Sequence, residues 1–187
     1  MGDKPGKGLK GDRRGEESFE EEEQIAQERA FDEERVLRQP IRTLPTLQPP
    51  ITCERGATVR QAIEIMQRER TDCVLVVDLG RLVGVFTERD VLTKVAARGV
   101  DIDRLRIGTL MTPNPDCLSM DHELAYALNQ MSIGEYRHVP LVDDHGRPTG
   151  VVSMRHIVDY LIAMFPQDVY NLSPSPAHGI ARHPEGA

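Results

Sequence analysis

The chain has 187 residues, a net charge of −7, 39% hydrophobic and 4% aromatic residues, and no tryptophan. This length suits one compact domain or two small subdomains that share a core, and the modest apolar fraction indicates that part of the chain lies outside the core. The acidic balance argues against a general nucleic-acid binder, whose footprint is a surplus of Lys and Arg. Three cysteines (Cys53, Cys73 and Cys117) without metal-type spacing predict free thiols in a reducing compartment.

The N-terminal region is predicted to be a solvated tail, because a basic, glycine-rich start is followed by a run of glutamates. Its first 38 residues carry −4 of the net charge of −7. Residues 17–37 favour a helix whose apolar stripe is too thin to be buried alone. The start does not resemble a secretory signal, and nowhere does the chain reach the roughly 18 apolar residues of a membrane span. We therefore expect a cytoplasmic protein without a membrane segment.

The middle of the chain is an internal repeat with a shift of 65 or 66 residues. The amphipathic helix stripe that begins at Val59 recurs from Leu124, and the apolar strand at 74–78 recurs at 139–143. Each unit is predicted to run strand, helix, strand, glycine turn, strand, helix, with leading strands at 51–53 and 117–120. Units of about 60 residues are at the lower limit for folding alone, so the two should pack over a shared core.

Three stretches of the repeat carry a family resemblance: Leu82-Val83-Gly84-Val85-Phe86-Thr87-Glu88-Arg89-Asp90-Val91-Leu92, Met111-Thr112-Pro113, and Tyr136-Arg137-His138-Val139-Pro140-Leu141-Val142. They resemble the CBS domain, named after cystathionine β-synthase, which usually occurs as a tandem pair called a Bateman module. The resemblance implies an α/β fold of tandem CBS domains, two βαββα units packed as a pseudo-two-fold sandwich, with a helical, partly disordered N-terminal extension. It implies a module that binds adenosine-containing ligands between the repeats and regulates another protein.

The resemblance and the repeat together predict four segments. They are an acidic N-terminal extension and linker (1–43), a first CBS repeat (44–106), a second CBS repeat (107–166) and a flexible C-terminal tail (167–187).

Thr87 and Asp90 follow a predicted strand and begin a helix, which leaves two interpretations open. Thr-x-x-Asp at this place is nearly a capping box, with the carboxylate near the positive end of the helix. The same geometry lets a fixed carboxylate accept hydrogen bonds from the two hydroxyls of a ribose. Gly84 would allow a ligand to approach the backbone closely. The resemblance favours ligand contact by Thr87 and Asp90.

The second repeat departs from this pattern. Ser153 keeps the hydroxyl, but His156 stands where the aspartate is expected. A neutral imidazole offers one acceptor rather than the two oxygens of a carboxylate. We therefore predict a weaker, altered or empty second site, and one good site per chain.

Further binding residues follow from the resemblance. Arg137 and His138 lie where basic residues of the family reach phosphates, and Arg89 is a second candidate because arginine matches phosphate geometry. His138 would assist when protonated. An adenine is expected against apolar surface and backbone around Thr52, Cys53, Asp72, Cys73 and Val74.

No catalytic or metal constellation emerges from the spacing. The histidines are scattered, no set of three or four metal ligands converges, and no Ser–His–Asp order or phosphate loop is present. We predict a non-enzymatic sensor of AMP, ADP or ATP that needs no cofactor, forms a homodimer and signals to an unidentified protein target. The alternatives are an interaction or scaffold module whose ligand site has lapsed, or a sensor of S-adenosylmethionine or NAD(H).

Overall fold

A computed structural model describes residues 34–47 and 49–165, and the expected helix over 17–37 and the C-terminal tail lie almost wholly outside these residues. The strands are β1 (Thr52–Glu54), β2 (Cys73–Asp78), β3 (Arg81–Thr87), β4 (Thr112–Pro113), β5 (His138–Val142) and β6 (Pro148–Ser153). The helices are α1 (Val59–Glu69), α2 (Glu88–Asp90), α3 (Leu124–Gly134) and α4 (Met154–Met164). Helix α2 continues through a π-helical turn (Val91–Val95) and a 3-10 turn (Ala96–Arg98), and further 3-10 turns are Ile41–Thr43 and Ile107–Thr109.

The first repeat forms a mixed sheet in the order β1-β2-β3-β4. Strand β1 is parallel to β2 with Cys53 opposite Val76, and β3 returns antiparallel to β2. Strand β4 then pairs antiparallel with β3, so the link between the repeats lies on the edge of the first sheet. This path places the C-terminal end of β3 and the start of α2 beside the link.

The second repeat keeps the central hairpin of this arrangement in a two-stranded sheet. Strands β5 and β6 form an antiparallel pair, with Val139 opposite Val152. The strand expected at 117–120 is reduced to one parallel bridge between Leu118 and Leu141, held by the Leu118 amide at 3.0 Å from the Pro140 carbonyl oxygen. The duplication predicted from the sequence is therefore present in the fold.

Each repeat has its own core, and each core includes a segment that precedes the other repeat. Ile41 and Leu44 are buried with the second-repeat residues around Leu141, and the Ile41 amide donates to the His122 carbonyl oxygen at 2.8 Å. Ile107 and Met111 are buried with the first-repeat residues around Phe86. The two repeats thus exchange their leading segments, an arrangement that ties them together across their junction.

Candidate functional site

The start of α2 is closed by a complete capping box. The Thr87 hydroxyl accepts from the Asp90 amide at 3.3 Å, and Asp90 Oδ2 accepts from the Thr87 amide and hydroxyl, each at 2.9 Å. The structural interpretation of Thr-x-x-Asp is therefore confirmed. Asp90 is only 8% exposed, which holds its carboxylate in one position.

Lys94 is the second partner of that carboxylate. Its Nζ lies 2.7 Å from Asp90 Oδ1 and donates to the Leu110 carbonyl oxygen at 2.9 Å. A carboxylate has about four acceptor positions, and three on Asp90 are filled, so one position on Oδ1 remains open. The sequence interpretation missed Lys94, although an acid and a base four residues apart on a helix are a readable signal.

The start of α4 is capped in the same way, with an imidazole in place of the carboxylate. The Ser153 hydroxyl accepts from the His156 amide at 3.2 Å, and His156 Nδ1 accepts from the Ser153 amide at 3.4 Å. Burial, followed by the neighbouring His138, lowers the pKa of His156. An acceptor at Nδ1 in a neutral ring leaves the proton on Nε2, so the ring offers a donor on its other side.

The cleft beside Thr87 and Asp90, here the first cleft, lies between the two repeats. Its volume is about 410 Å³, within the range of small-molecule sites. The first repeat contributes Asp72, Val85 and residues 87–90, the link contributes 112–116, and the second repeat contributes 134–138. Arg89 crosses between the repeats, since its Nη1 donates to the Glu135 carbonyl oxygen at 3.4 Å. The structure thus brings Arg89, Arg137 and His138 to the cleft that contains Asp90.

The cleft beside Ser153 and His156, here the second cleft, is larger, at about 1080 Å³. It takes residues 69–73 from the first repeat, which correspond at a shift of 65 to residues 134–138 of the first cleft. The charges are exchanged between these segments: Arg70 stands where the first cleft has Glu135, and Asp72 stands where it has Arg137. The two clefts are therefore equivalent in position but different in chemistry.

Asp72 and His138 meet where the two clefts adjoin, and both residues line both clefts. His138 Nε2 lies 2.9 Å from Asp72 Oδ2, with the His138 side chain 11% exposed and that of Asp72 57% exposed. The hydrogen bond from His138 lowers the pKa of the Asp72 carboxyl. The neighbouring Cys73 lines the second cleft, and burial raises the pKa of its thiol to about 12.

Four predicted site residues lie elsewhere. A side chain at Gly84 would meet the Met111 side chain and the Thr112 carbonyl oxygen at 3.0 Å, so this glycine allows the link to approach rather than a ligand. Thr52 is exposed on β1, Cys53 and Val74 are buried, and none of the three lines either cleft. Cys73 lines only the second cleft, away from Asp90. Of the residues expected around an adenine, only Asp72 lines the first cleft.

The first cleft also contains residues that the sequence interpretation did not select. Asp116 accepts from the Tyr136 hydroxyl at 3.2 Å, which joins the link to the second repeat. Glu135 contributes its carbonyl oxygen to Arg89. The repeat shift could have found Tyr136, because it falls on Thr71 beside Asp72, but pairing along the sequence does not reveal which cleft a residue faces.

Family comparison agrees with this fold. The sequence model of the CBS domain matches residues 41–97 and again residues 107–163. A curated relative, the meiotically up-regulated gene 70 protein of Schizosaccharomyces pombe, is 38% identical over 100 residues, which is 54% of this chain. The chain spans only 14% of the length of that relative.

Solved structures of CBS domain pairs have the same fold. The CBS domain of a CBS domain-containing membrane protein from Sphaerobacter thermophilus is 25% identical, with a TM-score of 0.60 over 72% of this chain and 96% of that chain. A CBS domain pair solved in complex with 5′-methylthioadenosine and S-adenosyl-L-methionine is 26% identical, with a TM-score of 0.60 over 66% of this chain and 99% of that chain. Among the described residues, no helix has both the length and the apolar character needed to cross a bilayer.

Proposed function

Because the chain belongs to the CBS domain family, we propose that it is a regulatory module that binds an adenine nucleotide (AMP, ADP or ATP) in the first cleft. CBS domain pairs are regulatory, non-catalytic modules, and the proposal assigns this chain no reaction. A partner protein in the cytoplasm would recognise the ligand-bound conformation. Nucleic acid has no part in it, because the chain lacks a basic surplus.

The observation that carries the proposal is the buried Asp90 carboxylate in the wall of the first cleft, which Arg89 and Arg137 also line. One ribose hydroxyl would donate to the open position on Asp90 Oδ1, and the neighbouring hydroxyl to the free lone pair of Thr87. Arg137, assisted by Arg89 and His138, would bind the phosphate, since guanidinium donors match phosphate oxygens.

The ligand class is supported by the CBS domain pair at 26% identity, whose complex contains two adenosine compounds. S-adenosylmethionine and NAD(H) contain the same adenosine and are the competing ligands within this class. The carboxylates of Asp72, Glu88, Asp90, Asp116 and Glu135 outnumber the two arginines of the first cleft. This balance favours a ligand with few phosphate charges, so we rank AMP ahead of ATP.

Signalling would arise from the position of the first cleft between the repeats. A ligand that contacts Asp90 of the first repeat and Arg137 of the second favours one relative position of the two units. It can shift that equilibrium only by its difference in affinity for the two arrangements. The exchanged leading segments limit the motion to small rotations, because Ile41 and Ile107 are fully buried in the core of the opposite repeat.

The homodimer is part of the same proposal. Leu92 and Val158 occupy equivalent positions on the helical segment 88–98 and on α4, and they are 67% and 43% exposed. Apolar side chains at matching places in both repeats suit a surface that a second copy covers. Sedimentation velocity of the full chain should give a dimer, and Leu92→Glu should shift it toward the monomer.

A docking module with a lapsed site is the second candidate. It is favoured by one observation: Asp90 is hydrogen-bonded to Thr87 and paired with Lys94, both within the chain itself. In that case the capping role alone would explain the aspartate.

A ligand panel separates the two candidates. The full chain is heated with AMP, ADP, ATP, NADH or S-adenosylmethionine, and any ligand that raises the melting temperature is titrated by calorimetry. A ligand at 100 times its Kd should stabilise the fold by about 2.7 kcal/mol. Asp90→Ala should abolish the effect, whereas Asp103→Ala should retain it, because Asp103 forms an exposed ion pair with Arg60 away from both clefts. A panel without any shift would establish the docking module instead.

A further inference from the structure

Three different metal-ligand side chains converge where the two repeats meet. A carboxylate oxygen of Asp72, the Sγ of Cys73 and an imidazole nitrogen of His138 all lie within 4.8 Å of one another. Asp72 immediately precedes β2, Cys73 begins that strand, and His138 begins β5. Cys73 and His138 are equivalent positions of the repeat, so the fold brings them together across its pseudo-two-fold axis.

The donor types and spacing fit a tetrahedral metal ion. Thiolate, imidazole and carboxylate are the side-chain ligands of zinc, and bond lengths of 2.0–2.3 Å place neighbouring ligand atoms about 3.3–3.8 Å apart. The His138–Asp72 distance of 2.9 Å is shorter than this, and the three ligand atoms all lie within 4.8 Å of one another. Side-chain rotations that move each ligand atom by about 1 Å would therefore satisfy the geometry.

The surroundings provide both a protein wall and an open position. Cys73 is buried and the His138 side chain is 11% exposed, so two ligands are held by packing. All three residues line the second cleft, which also contains His156. His156 uses Nδ1 for its capping hydrogen bond and therefore carries its proton on Nε2, so a water molecule from the cleft is the fourth ligand.

We propose that Asp72, Cys73 and His138 form a binding site for a zinc-type divalent transition-metal ion that links the two repeats. Two ligands come from the first repeat and one from the second, so the bound ion would fix their relative position. Binding replaces the hydrogen bond between His138 and Asp72 with metal bonds: the His138 ring binds through Nε2 as the tautomer with its proton on Nδ1, and the thiol proton of Cys73 is released to solvent. The metal site shares His138 with the proposed phosphate contacts of the first cleft but requires no contact with Asp90, so it can be tested without any nucleotide.

Spacing along the sequence predicts no metal site. Asp72 and Cys73 are neighbours, but His138 follows Cys73 by 65 residues. The structure supplies the missing relation through the pairing of the repeats. Among the described residues, Asp72, Cys73 and His138 are the group of three metal-ligand side chains whose ligand atoms lie close enough together to hold one ion.

Cobalt substitution tests the site without any nucleotide. The full chain is stripped with a chelator, reduced and titrated with Co²⁺. We expect a thiolate-to-cobalt charge-transfer band that saturates at one equivalent per chain and is bleached by Zn²⁺. Cys73→Ser should abolish the band, and Asp72→Asn should weaken Zn²⁺ binding by at least about tenfold. Cys117→Ser is the matched control, because that half-buried thiol lies outside both clefts and should leave the band intact.

The use of two different variants keeps the test valid if one of them misfolds. Asp72 is largely exposed, so Asp72→Asn should fold normally even if the buried Cys73→Ser does not. The proposal is overturned if the wild-type chain gives no thiolate band, if the band survives Cys73→Ser, or if Asp72→Asn binds Zn²⁺ as tightly as the wild type.

Discussion

The starts of α2 and α4 occupy equivalent places in the two repeats, and each is closed by a capping box with the same pattern of hydrogen bonds. The first uses the carboxylate of Asp90, and the second uses the Nδ1 atom of His156. The helix start therefore tolerates either acceptor. The atom that each residue offers to its cleft differs: Asp90 offers a carboxylate oxygen, which accepts hydrogen bonds, whereas His156 offers an N–H group, which donates them.

This difference separates two roles that a single Thr-x-x-Asp motif combines. Beside the N-cap hydroxyl, the capping box requires only one acceptor on the residue three positions later. Ribose binding requires acceptors for two hydroxyl donors. The second repeat retains the first property and lacks the second, so exchange of the two residues can test each role alone.

The largest expected effect is that of Asp90→His. The imidazole can close the capping box as His156 does, but it cannot accept from a ribose hydroxyl in the same way. The loss of a charge-assisted hydrogen bond should weaken adenosine-ligand binding by about 10–100-fold. Calorimetry measures the binding, and thermal unfolding should show a smaller loss of stability than for Asp90→Ala, which also removes the side-chain acceptor for the Thr87 amide. Unchanged affinity in Asp90→His would place the ligand elsewhere.

The reverse exchange, His156→Asp, should create a second binding event. Aspartate keeps the capping acceptor and restores a carboxylate to the second cleft. The second cleft has both Asp72 and the cations Arg137 and Arg155 in its lining, so uncharged adenosine tests the restored ribose contact without a phosphate contribution. Titration with adenosine should raise the stoichiometry from one toward two. An unchanged stoichiometry would show that features of the second cleft other than His156 prevent binding.

Removal of the N-cap hydroxyl should affect stability equally in the two repeats. Thr87→Ala and Ser153→Ala each remove one side-chain acceptor, and each should lower the free energy of unfolding by about 1 kcal/mol. Only Thr87→Ala should also weaken ligand binding. Chemical denaturation and calorimetry measure the two properties separately, and equal losses of binding in both variants would contradict the asymmetry.

The smallest expected effect is a pH dependence that comes from the second repeat. The pKa of His156 is lowered from 6.5 in the folded chain, mainly by burial. The unfolded chain therefore takes up a proton first as the pH falls below 6.5, and the free energy of unfolding should decrease. His156→Asn keeps an acceptor for the Ser153 amide without this titration. The stability of this variant should vary less than that of the wild type between pH 7 and the lowered pKa.

Local signals in the sequence predicted much of the fold. The strands around each glycine turn and the cap at Thr87 depend on spacing and residue type within a few positions, and the repeat is visible because both units carry the same local patterns. They were correct because each is formed by neighbours in the chain. The departure at His156 was also readable, although its use of Nδ1 as a substitute capping acceptor became clear only from the structure.

Long-range packing was not predictable in the same way. The burial of Ile41 in the second repeat and of Ile107 in the first depends on how two similar units pair. The Asp72–His138 contact depends on the same pairing. The sequence predicts that Gly84 lets a ligand approach the backbone. In the structure β4, which begins 28 residues later in the sequence, approaches it instead.

The stoichiometry of the wild-type chain tests the central claim most directly. Isothermal titration of the full chain with AMP, or with whichever ligand of the panel binds, should give one site per chain. That site should disappear in Asp90→His and persist in His156→Asn. Two sites of equal affinity, or a single site that persists in Asp90→His, would contradict the assignment of binding to the first cleft.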